Sequence, residues 1–316
     1  MTVAAEATAH RSRRRPRLKR IAQASVPYLL ILPVIVVITA ILGYPLYKLV
    51  TLSFQQYGLA ELIQRKGVWI GFDNFSSVLQ DEVFWRVLLR TVIFTAANVA
   101  LTIGIGTLIA FLLVRVSTWV RVLLTAGLVL VWSMPAVVAV QIWIWMTNFE
   151  NGVLNYVLTE LHVGDYTGHD WYGSTFSKLA MVTLLIVWGA IPFVTITVYA
   201  GLAQVPRELV EAAEIDGAGP ARVFRDVTFP ILKPIFLIVT SLSIIWDFGV
   251  FTQAYLLIGS SAVDTSNYVM GVYVFIEGYA HSDFGRGAAI SLLMLLIISV
   301  LSVFYVRRMV KMGEAS

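Results

Sequence analysis

Charge is scarce in this sequence and cysteine is absent. Only 13% of the 316 residues are charged, and 58% are hydrophobic. A soluble domain carries about 25% charged residues, so this composition, with a mean hydropathy of +0.80, predicts an integral membrane protein. Because no cysteine is present, disulfide bonds, thiolate catalysis and cysteine-ligated metal sites are excluded.

The motifs of several enzyme classes are also missing. The chain has no Gly-Lys dipeptide, so it contains no phosphate-binding P-loop for ATP. It has no H-E-x-x-H motif and no serine in a G-x-S-x-G elbow, and its histidines show no metal-ligand spacing with carboxylates. These absences predict a non-catalytic chain that binds no metal and no cofactor itself. The basic run near the N-terminus lies against a hydrophobic span, which gives no support for nucleic-acid binding.

Long uncharged runs predict an all-α integral membrane protein with six transmembrane helices. A helix needs about 20 apolar residues to cross a bilayer. Six runs reach that length, and the fifth is interrupted only by Asp247. The predicted spans cover residues 27–50, 91–114, 122–149, 179–205, 234–263 and 287–306.

A basic tail precedes the first span. Residues 1–26 contain seven arginines and lysines, and the chain is then uncharged from residue 21 to residue 47. This stretch is far longer than the roughly 7–15 apolar residues of a secretory signal. It therefore predicts an uncleaved first transmembrane helix.

Basic residues also predict the topology. Of the 23 lysines and arginines, 16 fall in alternate segments that include both ends of the chain, and seven fall in the segments between them. Positive charge concentrates on the cytoplasmic side of membrane proteins, so both termini and the loop 206–233 are predicted to be cytoplasmic. The expected organisation is a cytoplasmic tail (1–26), a membrane domain (27–308) and a C-terminal cytoplasmic tail (309–316).

The loop 206–233, between the fourth and fifth spans, has the pattern of a helix pair. The first helix carries three glutamates spaced three residues apart, Glu208, Glu211 and Glu214. Gly217 allows a bend, and Pro220 follows a glycine and can start a second short helix. Pro230 and Pro234 are expected to end this second helix and to return the chain to the membrane.

Phe224 lies in the second helix of this loop, close to Arg222 and Arg225. A connecting loop does not need an exposed phenylalanine, whereas aromatic residues and arginine dominate the binding energy of protein interfaces. The loop is therefore predicted to dock onto a partner protein, with Phe224 as the anchor. The alternative is a loop helix that packs only against its own membrane domain.

Asp247 is the one acidic residue inside the predicted spans, and the one basic residue, Lys48, lies at the very end of the first. An ionisable group at that depth costs at least a few kcal/mol, so Asp247 is expected to face a polar interior or another helix. It could line a hydrophilic solute path together with Trp246, Gln253 and Tyr255, and equally it could hydrogen-bond two helices together. The amides Asn98 and Gln141 have the same two interpretations. A path centred on Asp247 leaves an alternative function open, that of a stand-alone ion-coupled carrier.

The loop resembles the E-A-A motif of permease subunits in bacterial binding-protein-dependent ATP-binding-cassette (ABC) importers. The family pattern is E-A-A, three residues, Gly, nine residues and Ile-x-Leu-Pro. The matching residues are Glu211, Ala212, Ala213, Gly217 and Pro230, with Val227 and Phe229 in place of Ile and Leu. The segment 69–75, Trp-Ile-Gly-Phe-Asp-Asn-Phe, is similar to an outer-loop signature of the carbohydrate (maltose/oligosaccharide-type) branch of that family.

The resemblance implies partners and a mechanism. Two homologous permease subunits would form the pathway for a sugar, and two copies of a cytoplasmic ABC ATPase, which binds ATP and Mg²⁺, would receive the coupling loops. An extracytoplasmic solute-binding protein would deliver the sugar to this multi-pass protein of the bacterial cytoplasmic membrane. The residues implied to form the ATPase contact are Glu211, Ala212, Asp216, Gly217, Ala218, Phe224 and Pro230.

Overall fold

The computed structural model describes residues 29–258 and 265–313. The basic tail 1–26 and residues 314–316 of the predicted C-terminal tail lie outside the described residues. The regular structure that is described is helical apart from one pair of short strands, β1 (Gln55–Gln56) and β2 (Val68–Trp69). The helices are α1 (Leu29–Ser53), α2 (Leu59–Gln64), α3 (Asp73–Gln80), α4 (Glu82–Arg115), α5 (Thr118–Trp132), α6 (Ala136–Met146), α7 (Val153–Glu160), α8 (Thr175–Leu202), α9 (Arg207–Ile215), α10 (Pro220–Phe248), α11 (Thr252–Ile258), α12 (Met270–Phe275) and α13 (Phe284–Gly313).

Five of the described helices are long and apolar enough to cross a bilayer: α1, α4, α8, α10 and α13. The pair α5 and α6 becomes a sixth candidate if it is counted as one span. The prediction of an all-α membrane protein is thus confirmed. The chain divides into two compact units, residues 1–51 and residues 52–316, and the second unit contains both strands and the helices from α2 to α13.

The third predicted span, 122–149, is broken. Helices α5 and α6 meet at an angle of 101°, and Pro135 stands immediately before α6. Proline has no N–H to donate to the preceding turn, and its ring clashes with a continuing helix. The third predicted span is therefore two helices joined at a bend, and Pro135 is the residue that could have indicated the break.

Helices α4 and α8 make the most extensive helix pair of the described fold. Helix α4 begins nine residues earlier than the predicted span because the Asp81 carboxylate caps it and accepts a hydrogen bond from the Val83 amide at 2.8 Å. A Cβ atom on Gly106 of α4 would lie 2.8 Å from the Val194 side chain of α8. Small residues allow this close approach of membrane helices.

The fifth predicted span, 234–263, is displaced in the structure. Helix α10 starts at Pro220, runs without interruption to Phe248, and is followed by a break at residues 249–251 and by α11. The sequence had suggested that Pro230 and Pro234 end the second helix of the loop. In the structure both prolines lie inside α10, so this prediction was wrong. A wider π-helical turn at Phe224–Thr228 precedes Pro230. Local π-turns of this kind accommodate proline in membrane helices because they rearrange the backbone hydrogen bonds.

Two polar side chains, Asn74 and Arg286, organise the side of the fold opposite the 206–233 loop. The Asn74 amide of the 69–75 signature donates to the carbonyls of Ser53 and Gln55, at 3.0 and 2.9 Å, and so ties α3 to β1. Arg286 of α13 forms ion pairs with Asp81 and, at 3.0 Å, with Glu277.

The Tyr273 hydroxyl also belongs to this Arg286 cluster. Burial raises the pKa of Tyr273 to about 12, so the phenol stays protonated and can donate to Asp81, 3.4 Å away. The cluster thereby joins the start of α4 to α12, to the turn at Ile276–Ala280 that follows it, and to the start of α13.

Candidate functional site

Helix α9 and the turn that follows it form the most exposed part of the 206–233 loop, and no residue of α9 is buried. Pro206 stands just before the helix, and the three glutamates predicted on it, Glu208, Glu211 and Glu214, are all exposed. Within the described part of the chain, none of these three carboxylates pairs with a cation. The helix therefore presents an acidic surface to solvent.

Gly217 makes the bend that the sequence predicted. Its φ angle is +82°, in the left-handed region that costs other residues roughly 1–2 kcal/mol. The amide of Ala218 donates to the backbone carbonyl of Ala213, and the amide of Gly217 donates to the backbone carbonyl of Glu214, both at 3.0 Å. This pattern is a glycine C-cap, which satisfies the last carbonyls of α9 and fixes the direction in which the chain leaves the helix.

The second helix starts at Pro220, as predicted, with the Gly219 carbonyl accepting from the amides of Arg222 and Val223 at 2.9 and 3.0 Å. Arg222 and Arg225 lie near Asp226, at 3.6 and 3.9 Å, on an exposed surface. Exposed pairs of this kind contribute little to stability. The direction of this segment is therefore set by its backbone cap and by its apolar contacts.

The sequence predicted that Phe224 is exposed, but its side chain does not point outward. Its ring is half-buried and packs edge-to-face on Phe111 of α4, with 5.4 Å between centroids, and also on Phe229 at 5.9 Å. Its neighbour Val223 is buried. The Phe224 ring is therefore less exposed than predicted, because the periodicity of the new helix turns this face towards α4. Its role as the anchor of a partner contact stays a prediction.

The most exposed large apolar side chain of this loop is Ile215, the last residue of α9, which is 86% exposed. Sequence reasoning missed it. A signal was present, because Ile215 interrupts the acidic run 214–216 just before the glycine turn. The other predicted contact residues divide by exposure: Glu211, Ala212, Asp216, Gly217 and Pro230 are exposed, and Ala218 is half-buried.

A cavity of about 440 Å³ lies where α10 ends and where α5 meets α6. Asp247, Trp246 and Gln253 all line it, so the structure brings together three of the residues predicted for a solute path. Aromatic rings form part of the wall, with Phe193 stacked on Trp132 at 6.3 Å and edge-to-face on Trp246 at 5.2 Å. Aromatic walls with a few polar groups are typical of small-molecule sites.

The other predicted path residues do not line this cavity. Tyr255 packs against Phe251 and Phe275, each with 5.0 Å between centroids, and Gln141 is exposed on α6. Asn98 is fully buried in α4, and within the described chain neither its Nδ2 nor its Oδ1 atom has a hydrogen-bond partner. Tyr255, Gln141 and Asn98 are therefore not brought together with Asp247 in this cavity, and a role for them in a solute path stays a prediction.

The loop and the cavity occur in a chain with clear relatives. Residues 102–310 match the family described as the binding-protein-dependent transport system inner membrane component, and the chain belongs to this family. It is 43% identical over 300 residues to the diacetylchitobiose uptake system permease protein DasB of Streptomyces coelicolor, an alignment that covers 95% of this chain and 91% of that protein. It is 30% identical to the sulfoquinovosyl glycerol transport system permease protein SmoG of Agrobacterium fabrum, over 88% of each chain.

The fold has a solved counterpart. A chain from the crystal structure of a bacterial ABC transporter involved in the import of the acidic polysaccharide alginate superposes with a TM-score of 0.77 at 18% identity, covering 94% of this chain and 99% of that one. Family and fold together confirm the predicted permease component of the inner membrane. They favour it over a stand-alone carrier.

Proposed function

We propose that this chain is one permease subunit of a sugar importer and forms half of its translocation pathway. The relatives DasB and SmoG are named for the transport of carbohydrates, and a third, 28% identical, is the trehalose/maltose transport system permease protein MalF of Thermococcus litoralis. A second, homologous permease would supply the other half. The chain would have no catalytic role, because ATP and Mg²⁺ would bind to a separate ATPase, present in two copies.

The observation that carries this proposal is the exposure of α9 together with the rigid turn behind it. Ile215 projects into solvent at the tip of an acidic helix, and apolar side chains in that position are suited to fill a cleft on a partner. The Gly217 cap and the packing of Phe224 on Phe111 hold the pair in one orientation. A force applied to α9 would therefore reach the membrane helices as a rigid-body movement.

The cavity beside Asp247 is the proposed part of the solute path. A carboxylate and an amide can hydrogen-bond sugar hydroxyls, and the rings of Trp246 and Phe193 offer flat apolar surfaces to the sugar ring. The solute would reach the transporter on an extracytoplasmic solute-binding protein. A chain from the crystal structure of the alginate transporter in complex with its pentasaccharide-bound periplasmic protein also shares this fold, with a TM-score of 0.75.

The test is an Ile215→Asp substitution in the chain co-expressed with its ATPase and second permease. We expect the ATPase to be lost on purification and ATP-driven uptake into proteoliposomes to fall at least tenfold, because a charge would enter an apolar contact. The thermal midpoint should not change, since the side chain is exposed. Ile63→Asp is the matched control, because Ile63 is 74% exposed on the outer helix α2.

Two results would overturn the proposal. One is full ATPase retention and uptake by the Ile215→Asp protein. The other is ion-driven uptake by this chain alone, without ATP, which would support the carrier. A panel of mono- and oligosaccharides tested against the cognate solute-binding protein would separately establish whether the cargo is a sugar.

A further inference from the structure

A second cavity, of about 780 Å³, opens on the outside of the helix bundle beside the 206–233 loop. We propose that this groove is a binding site for an anionic phospholipid from the leaflet on the side of that loop. Its walls come from α4, α10 and Tyr305 of α13. The volume falls within the roughly 300–1,000 Å³ of small-molecule sites.

The lining of the groove is chemically divided in the way a phospholipid is. Almost the whole surface is apolar, and four phenylalanines contribute to it: Phe111, Phe224, Phe229 and Phe236. Lys233 is the one charged residue of the lining, which also carries the hydroxyl groups of Thr107, Thr240 and Tyr305. An acyl chain fits the apolar part, and a phosphate fits the ammonium group.

Lys233 is available to a ligand. It is exposed, and within residues 29–258 and 265–313 no carboxylate pairs with it. A lysine at the edge of a membrane groove attracts anionic lipid. A protein partner in this groove would need to provide a carboxylate or a phosphate at the same place, whereas the membrane supplies phosphate along its whole surface.

The dimensions also match one leaflet. The lining residues of α4 run from Ile103 to Phe111, about 12 Å at 1.5 Å per residue, and those of α10 from Phe224 to Thr240, about 24 Å. One leaflet is about 15 Å deep in its hydrocarbon part and about 20–22 Å deep with its headgroup region. The groove therefore extends over the depth of one leaflet, and Lys233 lies between its two ends.

Gly104 keeps the groove open at the Ile103 end of its α4 wall. It lines the cavity, and a Cβ atom added there would meet nothing within 4 Å. A Cβ atom at this position would therefore stand in open space at the edge of the groove, and a longer side chain would extend from there. Substitution of Gly104 therefore tests occupancy without disturbing the core.

The test uses the intact transporter, with this chain and its partners purified together in detergent. Native mass spectrometry would measure retention of dioleoylphosphatidylglycerol and, in parallel, of dioleoylphosphatidylcholine. We expect the anionic lipid to be retained preferentially. Lys233→Gln should weaken its retention about fivefold, as expected for the loss of one lysine near an anionic surface, while Arg308→Gln, a cation on α13 outside the groove lining, should not.

Gly104→Phe should lower the retention of both lipids at least tenfold, because the added ring would occupy the groove. Gly127→Phe on α5 is the control, because that position is also free of neighbours within 4 Å. A photo-crosslinking residue in place of Leu108, which lines the groove and is 70% exposed, should give a lipid adduct in proteoliposomes.

Equal retention of the two lipids, unaffected by Lys233→Gln, would overturn the proposal. A crosslink from position 108 to the second permease would overturn it as well, since another helix would then fill the groove. If the Gly104→Phe protein does not fold, the Lys233→Gln and crosslinking results still decide whether an anionic lipid occupies the groove. None of these readouts requires transport, so they are independent of whether the ATPase docks on α9.

Discussion

The Phe224 ring contacts the Phe111 ring edge-to-face, with 5.4 Å between their centroids. Phe111 lies in α4, the helix that forms the largest contact with α8. This contact joins the 206–233 loop to the centre of the membrane domain. Phe224 is thus a structural contact of the loop rather than its exposed tip.

Replacing Phe224 with alanine should loosen the loop without removing its partner. A fully buried phenylalanine loses about 3–5 kcal/mol on truncation, and we expect about 1–3 kcal/mol for this half-buried ring. The thermal midpoint should fall and uptake should decrease, while the ATPase still co-purifies. Phe224→Leu should behave nearly as the unchanged protein. Loss of the ATPase with an unaltered thermal midpoint would instead show that Phe224 contacts the ATPase directly.

Gly217 should tolerate no side chain. Alanine in the left-handed region costs roughly 1–2 kcal/mol, which would shift the end of α9 away from its present direction. We expect Gly217→Ala to reduce ATP-driven uptake several-fold and Gly217→Pro to abolish it, with the protein still in the membrane.

The matched control is Gly219→Ala. Gly219 has a φ of −72° and open space around its Cα, so this variant should transport normally. Equal loss of uptake in the Gly217→Ala and Gly219→Ala proteins would show that the left-handed backbone is not the cause.

Trp246 should matter for the solute rather than for assembly. It lines the cavity beside Asp247 and is 51% exposed, so Trp246→Ala removes an aromatic surface at little cost in folding. We expect the KM for sugar uptake to rise several-fold and the ATPase to remain bound. Gln141→Ala, outside the cavity lining, should leave KM unchanged. If the Trp246→Ala and Gln141→Ala proteins have the same KM for sugar uptake, the solute does not pass through this cavity.

Arg286 should stabilise the side of the fold opposite the 206–233 loop. Removing one partner of a fully buried ion pair costs about 3–5 kcal/mol. Because the Arg286, Asp81 and Glu277 side chains are 15–28% exposed, we expect about 1–3 kcal/mol for Arg286→Met. The thermal midpoint of the purified transporter measures this loss.

Arg86→Met is the comparison for this cluster. Arg86 pairs with Glu82 in a largely exposed position, at 66% and 88%, and such pairs contribute about 1 kcal/mol or less. A similar drop for both arginine variants would mean that Arg286 acts only as another surface charge.

The sequence predicted the features that depend on neighbouring residues. The spans followed from uncharged runs, and the bend followed from Gly217, since only local chemistry decides them. The orientation of Phe224 depends on Phe111, more than a hundred residues earlier, and no local pattern reports that contact. The same holds for Asn98, whose depth the sequence indicated but whose face only the packing of α4 on α8 could fix.

The uninterrupted course of α10 has a mechanical consequence. Its 29 residues make a rod about 43 Å long, with the turn after Gly217 at one end and Asp247 at the other. A tilt of roughly 5° about the middle of such a rod moves its two ends by about 2 Å in opposite directions. If α10 moves as one rigid body about its middle, a small displacement at the loop reaches the wall of the Asp247 cavity at the same size and with its direction reversed.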